Sequence, residues 1–175
     1  MQPELKYSRL PRVPLGRRVA AFAIDFFLVG IASSIVSGGM SRILFLLLWF
    51  GMRVFYVATN RGQSVGRYAL DIKLVDARSI KIPLLTDLAK REGLLGLEAM
   101  LAWTGFVSLS PTSAWAILLI IPLAVDCGFA FADLDVREAF HDRIACTILL
   151  QSRRGYSLDL KVKLLLDQIN MRMRK

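Results

Sequence analysis

RILFLLLWFGMRVFYVAT, residues Arg42–Thr59, decides the fold. A helix built from it is apolar on nearly every side. Its length falls within the roughly 17–25 residues that cross a hydrocarbon core. Inside it lies one charge, Arg53. Upstream is a second run of the same kind, Arg18–Ser37, closed by Gly38-Gly39. So short a link between the two forces an antiparallel helical hairpin. Downstream come Gly93–Leu109 and Ala114–Ala132, separated by the turn Ser110-Pro111-Thr112-Ser113. Pro122 is expected to kink the last run. The expected fold is an all-α membrane protein: a four-helix transmembrane bundle in a single domain.

Composition agrees. Of the 175 residues, 55% are hydrophobic, more apolar mass than a soluble domain of this size buries. The formal charge of +9 resembles a nucleic-acid signal, but the basic residues fall in three polar segments that alternate with the apolar runs. That placement is a topology signal and argues against a nucleic-acid partner. The two cysteines, Cys127 and Cys146, suggest neither a disulfide scaffold nor a CxxC metal site. One histidine rules out a histidine-rich metal centre, and no cofactor is expected. The first apolar run carries Asp25 and lacks a cleavage site, so it reads as a permanent helix rather than a signal peptide.

Lys and Arg crowd the N-terminal tail (1–17), the loop 60–92 and the C-terminal segment, whereas the two short connections offer only Arg42. By the positive-inside rule all three basic segments, and so both termini, are cytoplasmic. In Tyr68–Asp76, Leu70, Ile72 and Leu74 alternate with Asp71 and Lys73, the period of a strand. A turn at Asp76–Ser79 and a return through Ile80-Lys81-Ile82 would make a β-hairpin, with Ala145–Gln151 as a third strand. Leu84–Glu92 reads as a short amphipathic interfacial helix. The tail 151–175 contains a basic amphipathic helix, Ser157–Lys175, with Leu158, Val162, Leu165, Leu166 and Ile169 on one face. It suits anionic lipid headgroups or a partner protein, or it packs on its own sheet.

Ionisable groups within the apolar runs are the most informative residues: Asp25, Arg53, Glu98 and Asp126. Each is costly against lipid and is expected to face inward. Counting helical rise from the run ends puts all four roughly 8–11 Å from the cytoplasmic edge, one charged layer. Two readings stand. Three carboxylates against one guanidinium leave negative charge to hold a proton or a cation. Alternatively Arg53 pairs with one or two carboxylates and the layer is structural. Gly30, Ser34 and Gly38 form a small-residue stripe along the first run, suited to close helix packing within the bundle or to a homodimer.

Three segments carry a family resemblance. RRVAAFAID (residues 17–25), GQSVGR (62–67) followed by DIKLVD (71–76), and Arg137 with HDRIACT (141–147) occur in this order. Together they resemble the RDD family of membrane proteins over about Arg17–Leu150. The resemblance implies signature positions at Arg18, Asp25 and Asp142, with Arg17 the other candidate for the arginine. Arg18 and Asp25, seven apart, share a helix face but are too distant to pair. Gly62, Gly66 and Arg67 read as a tight turn at the membrane exit, with Gln63 and Ser64 capping the helical turn that follows. The loop lacks the Walker spacing and its lysine. His141 beside Asp142 reads as a capping or packing feature.

Three functions compete. The first is transport of a cation, proton or small solute through the charged layer, with oligomerisation to complete a pathway. The second is a non-catalytic assembly or interaction factor of a larger membrane complex. The third, an intramembrane enzyme, has no HExxH, GxSxG or nucleophile constellation behind it. The expected residence is a bacterial plasma membrane or an internal, for instance photosynthetic, membrane.

Overall fold

Pro14 fixes the entry to helix α1, Leu15–Ser33: its ring presets φ near −55°, and its carbonyl accepts from Arg17 and Arg18. In the computed structural model the described residues are 13–132, 138–152 and isolated helical positions between 158 and 171. They form a mostly helical chain with one two-stranded antiparallel sheet. Helix α1 starts inside the expected tail and ends before the expected Ser37. The tail's earlier basic residues and prolines, Arg137, and the face residues Leu165, Leu166 and Ile169 lie outside the described residues.

Helix α2, Gly39–Thr59, is a continuous rod with a π-helical turn at Gly51–Phe55. There the Tyr56 N–H reaches back to Gly51 O, five residues away. Short helix α3, Val65–Ala69, leads into strand β1, Ile72–Asp76. Helix α4, Leu85–Ser108, is unbroken. The expected interfacial helix Leu84–Glu92 is therefore not separate; it forms the first turns of α4. The reason lies in the stripe Leu88, Glu92, Leu95, Ala99, whose spacing continues one buried face through the expected boundary.

Helix α5 begins as a 3₁₀ segment, Ala114–Ile120, and becomes α-helical over Ile121–Ala132. The expected bend at Pro122 takes this form. A proline ring crowds the carbonyl four residues back, here Leu118, and that carbonyl accepts from Ile121 in a 3₁₀ bond instead. Helix α6, Phe140–Ile144, then leads into strand β2, Thr147–Gln151.

The β-hairpin expected within 60–92 does not form: Ile80-Lys81-Ile82 is not a strand. Strand β1 pairs antiparallel with β2, Ile72 opposite Gln151 and Asp76 opposite Thr147. The Asp76 carboxylate instead accepts from the Arg78 and Ser79 N–H groups and the Ser79 hydroxyl, curling the chain locally. Along β1's other edge, Leu74 N–H donates to Gly62 O at 2.8 Å and Gln63 Nε2 donates to Ile72 O at 2.8 Å.

The main core gathers Val29, Phe45, Trp49, Leu95, Ala99 and Trp103 from α1, α2 and α4. Gly30 permits it, since a Cβ there would lie 2.4 Å from the Trp103 ring, while Ser34 Oγ accepts from Trp103 Nε1 at 3.3 Å. Gly30 and Ser34 of the small-residue stripe thus serve packing within the chain, whereas Gly38 has nothing within 4 Å of where a Cβ would be. Two helices, Gly39–Thr59 and Ala114–Phe131, are long and apolar enough to cross a membrane, and only 28% and 17% of them is buried. Ile117, Leu118 and Val125 point outward from α5.

Candidate functional site

Asp25 on α1 is fully buried and accepts three hydrogen bonds. Arg53 Nη1 donates to Oδ2 at 2.9 Å, Ser64 Oγ to Oδ2 at 2.6 Å, and Gly66 N–H to Oδ1 at 2.7 Å. The last contact requires glycine, because a Cβ at position 66 would lie 2.0 Å from Ala21 O. Ser64 also caps α3, accepting from Arg67 N–H. Gln63 has no part in that cap. The turn expected at Gly62 is present, with φ at +81° and no room for a Cβ against Leu74 O.

Arg53 continues the network. Its Nε donates to Glu92 Oε2 at 2.8 Å and its Nη2 to Oε1 at 3.4 Å, a two-point pairing. The guanidinium also lies over the Trp49 ring, 4.7 Å from its centroid. Glu92 takes two further arginines, Arg67 Nη2 at 3.1 Å and Arg91 Nη1. Arg91 Nε donates to Asp142 Oδ1 at 2.8 Å, and its Nη2 faces His141 Nε2 at 3.0 Å. An arginine only donates, so Nε2 accepts and the ring proton sits on Nδ1, which pairs with Asp126 Oδ2. The His141 N–H adds a bond to Asp126 Oδ1 at 2.9 Å.

Hydrogen bonds, several of them between opposite charges, therefore run without a break from Asp25 through Arg53, Glu92, Arg91 and His141 to Asp126. The structure brings Asp25 and Arg53 into direct contact and links Asp126 to them through residues the layer omitted. Glu98 lies near enough to Asp126 to feel its charge, but its Oε2 has no hydrogen-bond partner among the described residues. Glu92 and Arg91 escaped notice because they fell in a segment read as interfacial. Glu92's place between Leu88 and Leu95 on one helical face was the available signal. Arg67 and Arg91 join Arg53 in the interior, but Glu92 and Asp142 join Asp25, Glu98 and Asp126, so the expected three carboxylates against one guanidinium become five against three.

Beside the network lies a cavity of about 290 Å³. Arg18, Arg53, Arg67, Arg91, His141 and Asp142 are among its lining residues, but nearly all of the surface it exposes is apolar. Phe22, Leu95, Leu123 and Phe131 are among its apolar walls. Asp25 and Asp126 are not part of its lining. Burial, with the charges of Arg53 and Arg91, pulls the Arg67 pKa down to about 9, and Glu92 and Asp25 oppose this only in part. Burial alone would raise the Asp142 carboxyl, but the Arg91 guanidinium and its hydrogen bond hold it below its ordinary value. The signature positions thus take distinct places: Asp25 in the network, Asp142 on Arg91, and half-buried Arg18 on the cavity wall, acting on Asp142 through its charge.

Two outward-facing apolar helices and a buried arginine–carboxylate network at one end of the helices define a helical membrane protein. The RDD family model matches residues 12–146, and the chain belongs to the RDD family. No curated protein and no solved structure gives a significant match.

Proposed function

We propose that this chain is a multi-pass, non-enzymatic membrane protein that carries a cation, proton or small solute. In this reading α1, α2, α4 and α5 all cross the bilayer, with the basic segments and both ends cytoplasmic. Helices α1 and α4 fall short in apolarity because their charges, Arg18, Asp25, Arg91, Glu92 and Glu98, are spent on the bundle interior rather than on lipid.

The observation behind the reading is the cavity beside the charged network, with Cys127 in its lining. The guanidiniums of Arg53, Arg67 and Arg91 are paired there with Asp25, Glu92 and Asp142. Asp126, Glu98 and Asp142 act on Cys127 through their negative charge, and Arg91 opposes them. Such a field favours a cation or proton over an anion. The second reading, an assembly factor of a larger complex, leans on the basic C-terminal helix, whose face residues lie mostly outside the described residues.

Cys127 lines the cavity and provides the test. In a Cys146→Ser background reconstituted in vesicles, thiol modification is followed with impermeant methanethiosulfonates of similar size. The trimethylammonium reagent should react faster than the sulfonate reagent by on the order of tenfold, as field focusing allows. Glu98→Gln, which removes one of the charges acting on Cys127, should shrink that preference. A carrier is modified from either face of the membrane. Faster reaction of the sulfonate reagent, or reaction from one face only, would overturn the proposal.

A further inference from the structure

Four of the five interior carboxylates have donors. Asp25 and Glu92 lie on arginines, and Asp142 lies on Arg91. Asp126 accepts the His141 backbone N–H and the ring proton on Nδ1. Arg91 donates to the other ring nitrogen. With Nε2 accepting and Nδ1 donating, the imidazole is neutral, and Asp126 keeps its negative charge.

Glu98 is the exception. It sits on α4 at 9% exposure, and its Oε2 has no hydrogen-bond partner among the described residues. Asp126 of α5 is the charged group that acts on it. The other charges around α4 are engaged with one another: Asp25 of α1, Arg53 of α2, Arg67 of α3, Arg91 and Glu92 of α4 itself, and Asp142 of α6. Arg18 of α1 acts on Asp142. A carboxylate oxygen buried without a donor is costly, and a second negative charge beside it adds to the cost. One proton on the Glu98 carboxyl removes both penalties. A proton needs a route rather than a chamber, and the residue keeps a small exposed surface. A metal ion needs a shell of ligands, and among the described residues no three His, Cys, Asp or Glu side chains converge to provide one.

We propose that Glu98 is a proton-binding site, with Asp126 as the fixed anion that acts on it. Loading adds one proton to the carboxylate and gives the neutral acid; release restores the charge, and no other bond changes. This inference rests on the preceding reading and names the proton among the cargoes it allows. Cys127 follows Asp126 on α5 and lines the cavity, and the charges of Asp126 and Glu98 both act on it. Its thiol is therefore placed to report whether Glu98 is loaded or empty.

The test uses the full chain with Cys146→Ser in phosphatidylcholine vesicles. The ratio of trimethylammonium to sulfonate reaction rates at Cys127 is followed from about pH 6 to about pH 9, where exposed carboxyls stay ionised. Both reagents attack the same thiolate, so its own ionisation cancels in the ratio. The ratio should rise with pH by about threefold or more as Glu98 empties. It should be flat in Glu98→Gln, and Glu98→Asp, which keeps the acid, should restore the rise. Infrared difference spectra of the same vesicles should show a carboxylic-acid carbonyl band that fades over the same pH range and shifts in heavy water. Labelling glutamate carboxyls with heavy carbon should move that band, and labelling aspartate carboxyls should leave it in place. The labelled parent chain keeps the test decisive if Glu98→Gln fails to fold.

A ratio that does not change with pH overturns the proposal, as does an unaltered pH response in Glu98→Gln. So does a carbonyl band that is absent or that moves with labelled aspartate. If any of these is found while the trimethylammonium reagent remains the faster, the proton site fails and the earlier reading survives. Faster reaction of the sulfonate reagent overturns the earlier reading and this one with it.

Discussion

Asp142 carries the plainest consequence at the scale of single residues. Its carboxylate is buried, holds Arg91, and accepts from Thr147 Oγ1 at 3.3 Å. The folded state depresses its pKa, so its contribution to stability is present above the carboxyl's ordinary value. That contribution is lost as pH falls through the depressed one. Thermal unfolding of the detergent-solubilised protein should therefore show a melting temperature that drops on acidification. Asp142→Asn should flatten that acid limb while lowering the melting temperature near neutral pH. An acid limb of unchanged steepness in the variant would remove Asp142 as its source. The same residue shows how far sequence reasoning reaches: its importance was legible from the closing motif, but its partner was not. Arg91 lies 51 positions away on α4, and spacing says nothing about a contact that only the folded chain makes.

Among elements, the docking of α3 against α1 depends on one missing side chain. Gly66 brings its N–H to Asp25 and its backbone against Ala21 O, where a Cβ would stand at 2.0 Å. Gly66→Ala must push the helices apart and should cost roughly 1–3 kcal/mol, as overpacking does elsewhere. Gly128 on α5 has nothing within 4 Å of where its Cβ would be, so Gly128→Ala should be neutral or mildly stabilising. Comparing the two melting temperatures checks the argument, and equal effects would contradict it. The Gly62–Gly66 motif was legible as a place where glycine matters, but the reason differs at its two ends. Gly62 needs its positive φ; Gly66 needs the close approach. The strand β1 was legible from its alternation, whereas its partner was misread. Ile80-Lys81-Ile82 was nearer in sequence, but Asp76 binds the Arg78 and Ser79 N–H groups and donates its own N–H to Lys81 O, which closes a tight loop in place of a second strand. The free edge was taken by β2, brought in by α6 and the Arg91–Asp142 pair.

At the scale of the molecule, the proposed four crossings put Ser37 and Pro111 on one side and Ser79 on the other. In a Cys127→Ser, Cys146→Ser background, Ser37→Cys and Pro111→Cys should react with an impermeant maleimide in intact cells. Ser79→Cys should react only after permeabilisation. All three positions are exposed, so burial would not mask the result. Labelling of Ser79→Cys in intact cells would refute the orientation, and a sidedness split between Ser37 and Pro111 would refute the number of crossings. The sequence by itself determined the helical runs, the charge bias and the positions where ionisable groups sit among apolar ones. These are local properties, set by which side chains tolerate hydrocarbon. Only the tertiary structure decided the pairing. It joined Asp25 to Asp126 through Glu92, Arg91 and His141, and made an arginine-lined cavity from residues on α1, α2, α3 and α4. A buried charge announces in the sequence that it needs a partner, but which partner it gets depends on how the helices pack.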